Sequence, residues 1–552
     1  MGKTAKSDTI KKPSNTAGSF AFQAAVLAGA GLISRIVGLL YRSPLFQIIG
    51  DEGNGYYGTA YTIYSMILLI STYSIPMAVS KVISGKLALG QYKNARKMFK
   101  CSFIYVIIVG GAAALITYTF APVLVKEQPN AIMCLRILAP TIFLSGILSV
   151  FRGYMQAYNT MVPTSISQIL EQIANAIISV VAAYLLSAPY AAATTDHAKY
   201  GAAGSAAGTG AGVLAGLIFM LLVYSGRRKD IKRTVSEDIT GKDDTYAELF
   251  KQIFMMITPV IVATFVYNIS GTIDMKIFYK VLDYKNVSQL TSASLYGVFS
   301  GQYLVLINLP VAIASSVSTA MVPSVSASFT RGEVEYTNKR LNEALRLTMM
   351  VTIPCAVGLA VLAEPIINLL FNGADPAAAR ILAAGSISVI FYSLSTVTNG
   401  VLQGIGKPSE PVKNSSLSLA IHVIVLFVIL WFTDLRLYGL VIGTVLYAFM
   451  TCIFNSRSVK KFLHTRMDIK HIFVAPAIAS LMMGVVAYAA YHLIYSFIVH
   501  INVIALFVSI FIAMVFYLAA IIKVGGYGRE ELKGLPKGHL IIRLAEKLHL
   551  IK

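Results

Sequence analysis

The chain has 552 residues, 56% of them hydrophobic and 13% charged, with a mean hydropathy of +0.70. Soluble domains carry about 25% charged residues, so this composition excludes an ordinary soluble protein and points to an all-α chain that crosses a membrane many times. Its 46 Lys and Arg against 25 Asp and Glu leave +21. These cations fall in short segments between apolar runs, where they orient helices, and no nucleic-acid partner is expected.

In chain order, the basic stretch 1–19 reads as a cytoplasmic tail. It is not a signal peptide, because the apolar run after it is too long and contains Arg35. That run, 20–49, holds Arg35 and Arg42, seven residues apart. On a helix, seven steps return almost to the same face about 10 Å further along, and Gly31 and Gly38 share the stripe. An arginine near a bilayer centre costs about 2.5–3.5 kcal/mol. Two on one face, with no acid in the same helix, predict a wet cavity or an anionic ligand. Pairing with acids on other helices, or snorkelling of Arg42 to an interface, would satisfy the same residues. Guanidinium forks take two phosphate oxygens at a time, so this pair suits a diphosphate. Pro44 is expected to kink or end the helix. The glycine-rich stretch Gly50 to Gly58 reads as a tight, mobile outer connection. In it Asp51 and Glu52 are candidates for a gate partnered with arginine, or simply solvated acids.

Fourteen runs approach or exceed the roughly 20 residues of a spanning helix: 20–49, 56–83, 101–125, 131–158, 163–188, 200–224, 249–281, 291–328, 343–371, 376–405, 411–434, 436–456, 471–497 and 501–524. With both termini cytoplasmic, alternation puts 35 Lys and Arg on the inner side and 6 on the outer, as the positive-inside rule requires. Lys81 ends the second run and either receives an anionic head group from the inner side or only marks topology. Arg152, near the inner end of the fourth run, is a second such candidate, whereas Arg136 at the outer end snorkels. Among the few acids inside spans, Glu171 and Asp274 are candidates for a coupling H⁺ or Na⁺ or for charge balance against the arginines. Asp274 is expected to face the cavity. Gln302 and Asn268 are polar candidates for its far wall, Gln302 more simply as interhelical glue.

The basic-then-acidic linker 225–248 divides a six-helix half, 20–224, from a second, 249–456. Two further helices occupy 457–524, and 525–552 reads as an amphipathic cytoplasmic tail. Residues 147–156 lie over 394–403 at an offset of 247, with Gly153 on Gly400. Six being even, the halves would be parallel repeats about an axis along the membrane normal with a cavity between them. The cysteines Cys101, Cys134, Cys355 and Cys452 lie singly in apolar runs without metal-ligand spacing, and no metal site is expected. No Walker loop, HExxH or nucleophile elbow is evident, so no catalytic residue and no cofactor is expected. Transport would draw on membrane potential, H⁺, Na⁺ or the substrate gradient.

The run SRIVGLLYRSPLFQIIGDEGNGYYG, then IPMAVSKVISGKLALGQYKNARKMF, resembles the polysaccharide-flippase branch of the multidrug/oligosaccharidyl-lipid/polysaccharide (MOP) exporter superfamily. It is most similar to the stage V sporulation protein B and Gram-positive lipid II flippase type. The resemblance implies two six-helix lobes in a V, alternating access, a bacterial cytoplasmic-membrane location and a monomer. The implied partner is a polyprenyl-diphosphate-linked saccharide amid membrane lipid. It further implies that first-helix arginines and a basic residue ending the second helix are required, here Arg35, Arg42 and Lys81. Such relatives also use an arginine in the eighth helix, and none stands between Thr291 and Phe329. A cation-coupled multidrug exporter of the same fold, and a membrane polymerase or ligase of lipid-linked sugars, are the competing readings. The first would need an acidic cavity, and the second usually has a large outer loop.

Overall fold

The computed structural model describes residues 16–69, 75–158, 160–238, 240, 242–465, 467–525, 539 and 543, with the side chains of 16–25, 28, 77, 256–264, 266 and 267 outside the description. The expected amphipathic tail lies almost wholly outside the described residues. No strand occurs among them. The helices are α1 (Thr16–Leu40), α2 (Arg42–Leu68), α3 (Ile75–Ala88), α4 (Tyr92–Thr119), α5 (Ala121–Leu124), α6 (Ile132–Ala157), α7 (Val162–Ser187), α8 (Thr194–Ser236), α9 (Tyr246–Tyr284) and α10 (Gln289–Gly297). A π-helical segment, Val298–Tyr303, joins α10 to α11 (Leu304–Thr330). There follow α12 (Val334–Val361), α13 (Ala363–Leu370), α14 (Ala377–Gly385), α15 (Ser388–Gly404), α16 (Ser409–Phe432), α17 (Leu437–Leu463), α18 (Ala475–Leu493) and α19 (Asn502–Lys523).

Among the described residues ten stretches are long and apolar enough to cross a membrane, and twelve if two bent pairs each count as one span. Two of the fourteen expected runs stand outside that count. Residues 70–74 of the run 56–83, and the side chains of 256–264 within 249–281, lie outside the described residues.

The first bent pair is α1 with α2, which meet at 52°. Pro44 explains the break: it lacks the N–H that would bond the Leu40 carbonyl, and its ring crowds that turn. A second break follows at Gly50, whose φ of 62° suits a residue without Cβ. The stretch Gly50 to Gly58 is not the mobile connection its composition suggests. Past Gly50 the chain is helical, and residues 53–58 are buried. Its glycines serve close packing. A Cβ on Gly55 would lie 1.9 Å from the Ala293 carbonyl oxygen, and one on Gly297 would lie 2.0 Å from the Asp51 carbonyl oxygen. Thus α2 of the first half crosses α10 of the second with backbones nearly touching.

The apolar cores repeat this asymmetry. At the Gly50 end one core runs through both halves, from Tyr56, Ile63 and Leu138 to Tyr279, Tyr296 and Leu440. At the Lys81 end there are two. One holds Ile83, Met98 and Tyr154 together with Leu249 and Ile253 at the start of α9, and the other Leu345, Val401 and Val459. Within each half, the paired glycines of the weak repeat do the same work. A Cβ on Gly153 would strike Pro76 and Val79 of α3, and one on Gly400 would strike Ser318 of α11.

Candidate functional site

Between α1, α2, α7, α8 and α11 lies a cavity of about 450 Å³. Its first wall is the predicted stripe: Arg35, Gly38 and Arg42 all line it, because Tyr41 at the bend keeps helical φ and ψ (−72°, −18°), so the seven-residue spacing carries across to Arg42. Gly31 has open space where its Cβ would be, and Gly38 makes room for the Gln172 amide, 3.2 Å from an added Cβ. Both arginines reach the other half. The Arg35 Nη1 donates to the Asn308 carbonyl at 3.0 Å, and the Arg42 Nη1 donates to the Gly301 carbonyl at 3.5 Å. Neither of these carbonyls carries formal charge.

The facing wall is α7. Glu171 is the one acid among the described lining residues, and it is matched. The Arg152 guanidinium donates to its carboxylate at 2.6 Å and to the Ser167 hydroxyl at 2.9 Å. Arg152 is therefore engaged with Glu171 and does not itself line the cavity. Gln172 and Asn175 stand on the same face, one and four residues further on. The sequence carries a signal for this wall that its apolar character hides: Gln168, Glu171, Gln172 and Asn175 recur at helical spacing. The third wall is aromatic, with Tyr57, Tyr61 and Tyr64 of α2 on one face.

Other expected site residues lie elsewhere. Lys81 is exposed and lines a separate groove with Lys86, Leu89 and Gln252 of the second half's first helix. Asp274, expected to face the cavity, does not line it. It is buried against His422 of α16, which is fully buried, and its carboxylate meets the His422 Nε2. The reason is steric: the second half packs α9 on α16, so this face of α9 turns inward, away from the arginines. The His422 Nδ1 has no hydrogen-bond partner among the described residues. Asp51 bridges the halves, but with partners other than arginine. Gln302 donates its amide to one carboxylate oxygen and the Asp375 backbone N–H reaches the other at 3.2 Å. Gln302 thus serves as glue between helices. Glu52 accepts from the Tyr56 hydroxyl at 2.6 Å, within its own helix. Arg136 lies over the Tyr118 ring. Among the described residues no group of His, Cys, Asp and Glu is arranged to hold a metal ion.

A family model described as lipid II flippase MurJ matches residues 90–509 of this chain. The match begins beyond α1, so it rests on the body of the fold and not on the arginine stripe. The lipid II flippase MurJ of Bacillus subtilis (strain 168) is 24% identical over 418 residues, 73% of this chain and 75% of that protein. Stage V sporulation protein B of the same organism is 23% identical over 458 residues, 82% and 86% of the two chains. Among solved structures, a lipid II flippase MurJ in an inward closed conformation aligns with a TM-score of 0.65 at 18% identity, covering 90% of this chain and 98% of that one. An inward-facing multidrug resistance MATE family transporter of the MOP superfamily aligns with a TM-score of 0.63 at 14% identity, covering 80% and 98%.

Proposed function

The chain belongs to the lipid II flippase MurJ family, and from that membership we propose that it moves an undecaprenyl-diphosphate-linked saccharide, lipid II or a close cousin, from the inner to the outer leaflet by alternating access. The observation that carries this reading is the charge of the cavity. Two guanidinium groups line it, and its one described lining acid is already matched by Arg152. A dianionic head group complements these two cations. Arg35 and Arg42 hold the diphosphate, exchanging two neutral carbonyl acceptors for charged ones, and charge-assisted bonds of this kind are roughly twice as strong as neutral ones.

With both termini in the cytoplasm, the Lys81 end is the inner one. There the first half's core takes in only Leu249 and Ile253, at the start of α9, from the second half, and a head group enters from the inner leaflet past Lys81 while the polyprenyl tail stays in lipid. Asp51, with Gln302 and Asp375, closes the outer end, and Glu52 fixes Tyr56 beside it. Rocking of the lobes about the shared core then exposes the site outward. Asp274, buried with His422, is the candidate for a coupling proton or cation, and Glu171 with Arg152 is the charge balance of the cavity.

Translocation of fluorescent lipid II in proteoliposomes tests this. Arg35→Ala and Arg42→Ala are expected to abolish it, and unchanged rates in Arg35→Ala would overturn the reading. Asp274→Asn is expected to keep binding while removing the response to an imposed pH or Na⁺ gradient. A gradient response equal to that of the parent chain would remove Asp274 from the mechanism. Export of cationic drugs, the alternative of the same fold, is opposed by the arginines, which repel such substrates. Drug-sensitivity profiling of a deletion strain separates the two.

A further inference from the structure

Resting on the reading of the cavity as a diphosphate site, we propose that its α2–α7 wall is a saccharide platform. The ring of Tyr61 stacks on the face of the sugar next to the diphosphate, and the Gln172 and Asn175 amides bind that sugar's hydroxyls.

Three observations point there. First, Tyr61 is 41% exposed while its neighbours on the helix are not: Tyr57 is 5% exposed, Ala60 0% and Tyr64 2%. Tyr61 lines the cavity, so this exposure offers a ring to the cavity. Second, the ring is braced from behind. It stacks on Tyr57 with centroids 5.5 Å apart at 28°, and Tyr64 lies 5.6 Å away. Tyr57 is itself fixed by the Thr209 hydroxyl at 3.0 Å. A braced ring loses little freedom when a ligand covers its open face. Third, polar groups around it are unspent, apart from the Asn175 Oδ1, which accepts from the Ser179 hydroxyl at 2.9 Å and leaves that side chain its amide N–H groups. Thr59, Thr62 and Thr209 occupy the hydroxyls of Tyr279, Tyr296 and Tyr57. The Tyr61 hydroxyl makes no hydrogen bond among the described residues, and its charged neighbours are Arg42 and Glu171. Gln172, pressed against Gly38, likewise makes none there.

An open aromatic face flanked by amides and one carboxylate matches a pyranose, which shows an apolar C–H face and a rim of hydroxyls that donate and accept. A bare diphosphate would use none of these groups. An aromatic cation would use the ring but meet the charge of Arg42 beside it.

Binding of two probes to the purified full chain tests this: undecaprenyl diphosphate, and the same lipid carrying its saccharide. Tyr61→Ala and Gln172→Ala are expected to weaken the saccharide-bearing lipid by about three- to tenfold, the range of aromatic contacts, while leaving undecaprenyl diphosphate within twofold. Tyr61→Trp should restore the saccharide-bearing lipid. Retained binding of the bare lipid also shows that each variant folds. Equal loss on both lipids, or no loss on either, overturns the platform and leaves the diphosphate reading standing. If the unmodified chain binds neither lipid, the diphosphate reading fails and the platform fails with it.

Discussion

The Gly50 end and the Lys81 end of the molecule are held by opposite means. At the Gly50 end, shape does the holding. α2 crosses α10 through Gly55 and Gly297, and one apolar core runs across both halves. At the Lys81 end there are two cores, the first half's reaching the second only through Leu249 and Ile253 at the start of α9, and charged ties hold the first half to the linker. Lys86 pairs with Asp244 of the linker and Lys97 with Asp243. Tight packing of small residues is an all-or-none contact, so an interface built on it has two states and few between. Charged ties in water are individually weak and tolerate movement. A transporter that exposes one cavity to two sides in turn needs the first kind of contact where the halves meet and the second where they part.

Filling the glycine crossing is expected to have the largest effect. Gly297→Leu puts a side chain where even a Cβ meets the Asp51 carbonyl at 2.0 Å. It is expected to abolish translocation and to lengthen spin-label distances across the Gly50 end. Gly358→Leu, where nothing lies within 4 Å of an added Cβ, should change neither. A smaller effect is expected from Asp51→Ala, which removes the acceptor shared by Gln302 and the Asp375 N–H. Bonds to a charged acceptor contribute about 1.5–3 kcal/mol, so the open-to-closed ratio at that end should rise about tenfold or more in the same distance measurement.

The smallest effect belongs to the other end. Asp238 accepts the Lys93 N–H at 2.7 Å and the Thr240 hydroxyl, which hold its carboxyl below the ordinary carboxylate value. Its folded-state pKa is depressed, so its contribution is whole above the unfolded value of about 3.9 and is lost as pH falls through the lower folded one. The linker should therefore keep its protection from hydrogen exchange at pH 5 and lose part of it only below about pH 4. Asp238→Asn should show the same partial loss at neutral pH.

Hydropathy and charge placement made the helical spans legible, and helical spacing made the arginine wall legible, because both depend on neighbours in sequence. What escaped depends on partners far along the chain. Glu171 and Asp274 looked alike as lone acids in apolar runs. Arg152 claims the first from 19 residues away and His422 the second from 148. Gly50 to Gly58 has the composition of a turn, and only the presence of α10 shows that its glycines are there for contact. Tyr61 was one tyrosine among 30, set apart by burial of its neighbours and not by its type.

In the proposed mechanism Arg35 and Arg42 meet a lipid diphosphate inside the cavity. Affinity of the purified chain for undecaprenyl diphosphate, compared with Arg35→Ala and Arg42→Ala, measures this directly. Losses of tenfold or more in each variant, larger at low salt than at high, are predicted. Affinities equal to that of the unmodified chain would contradict it.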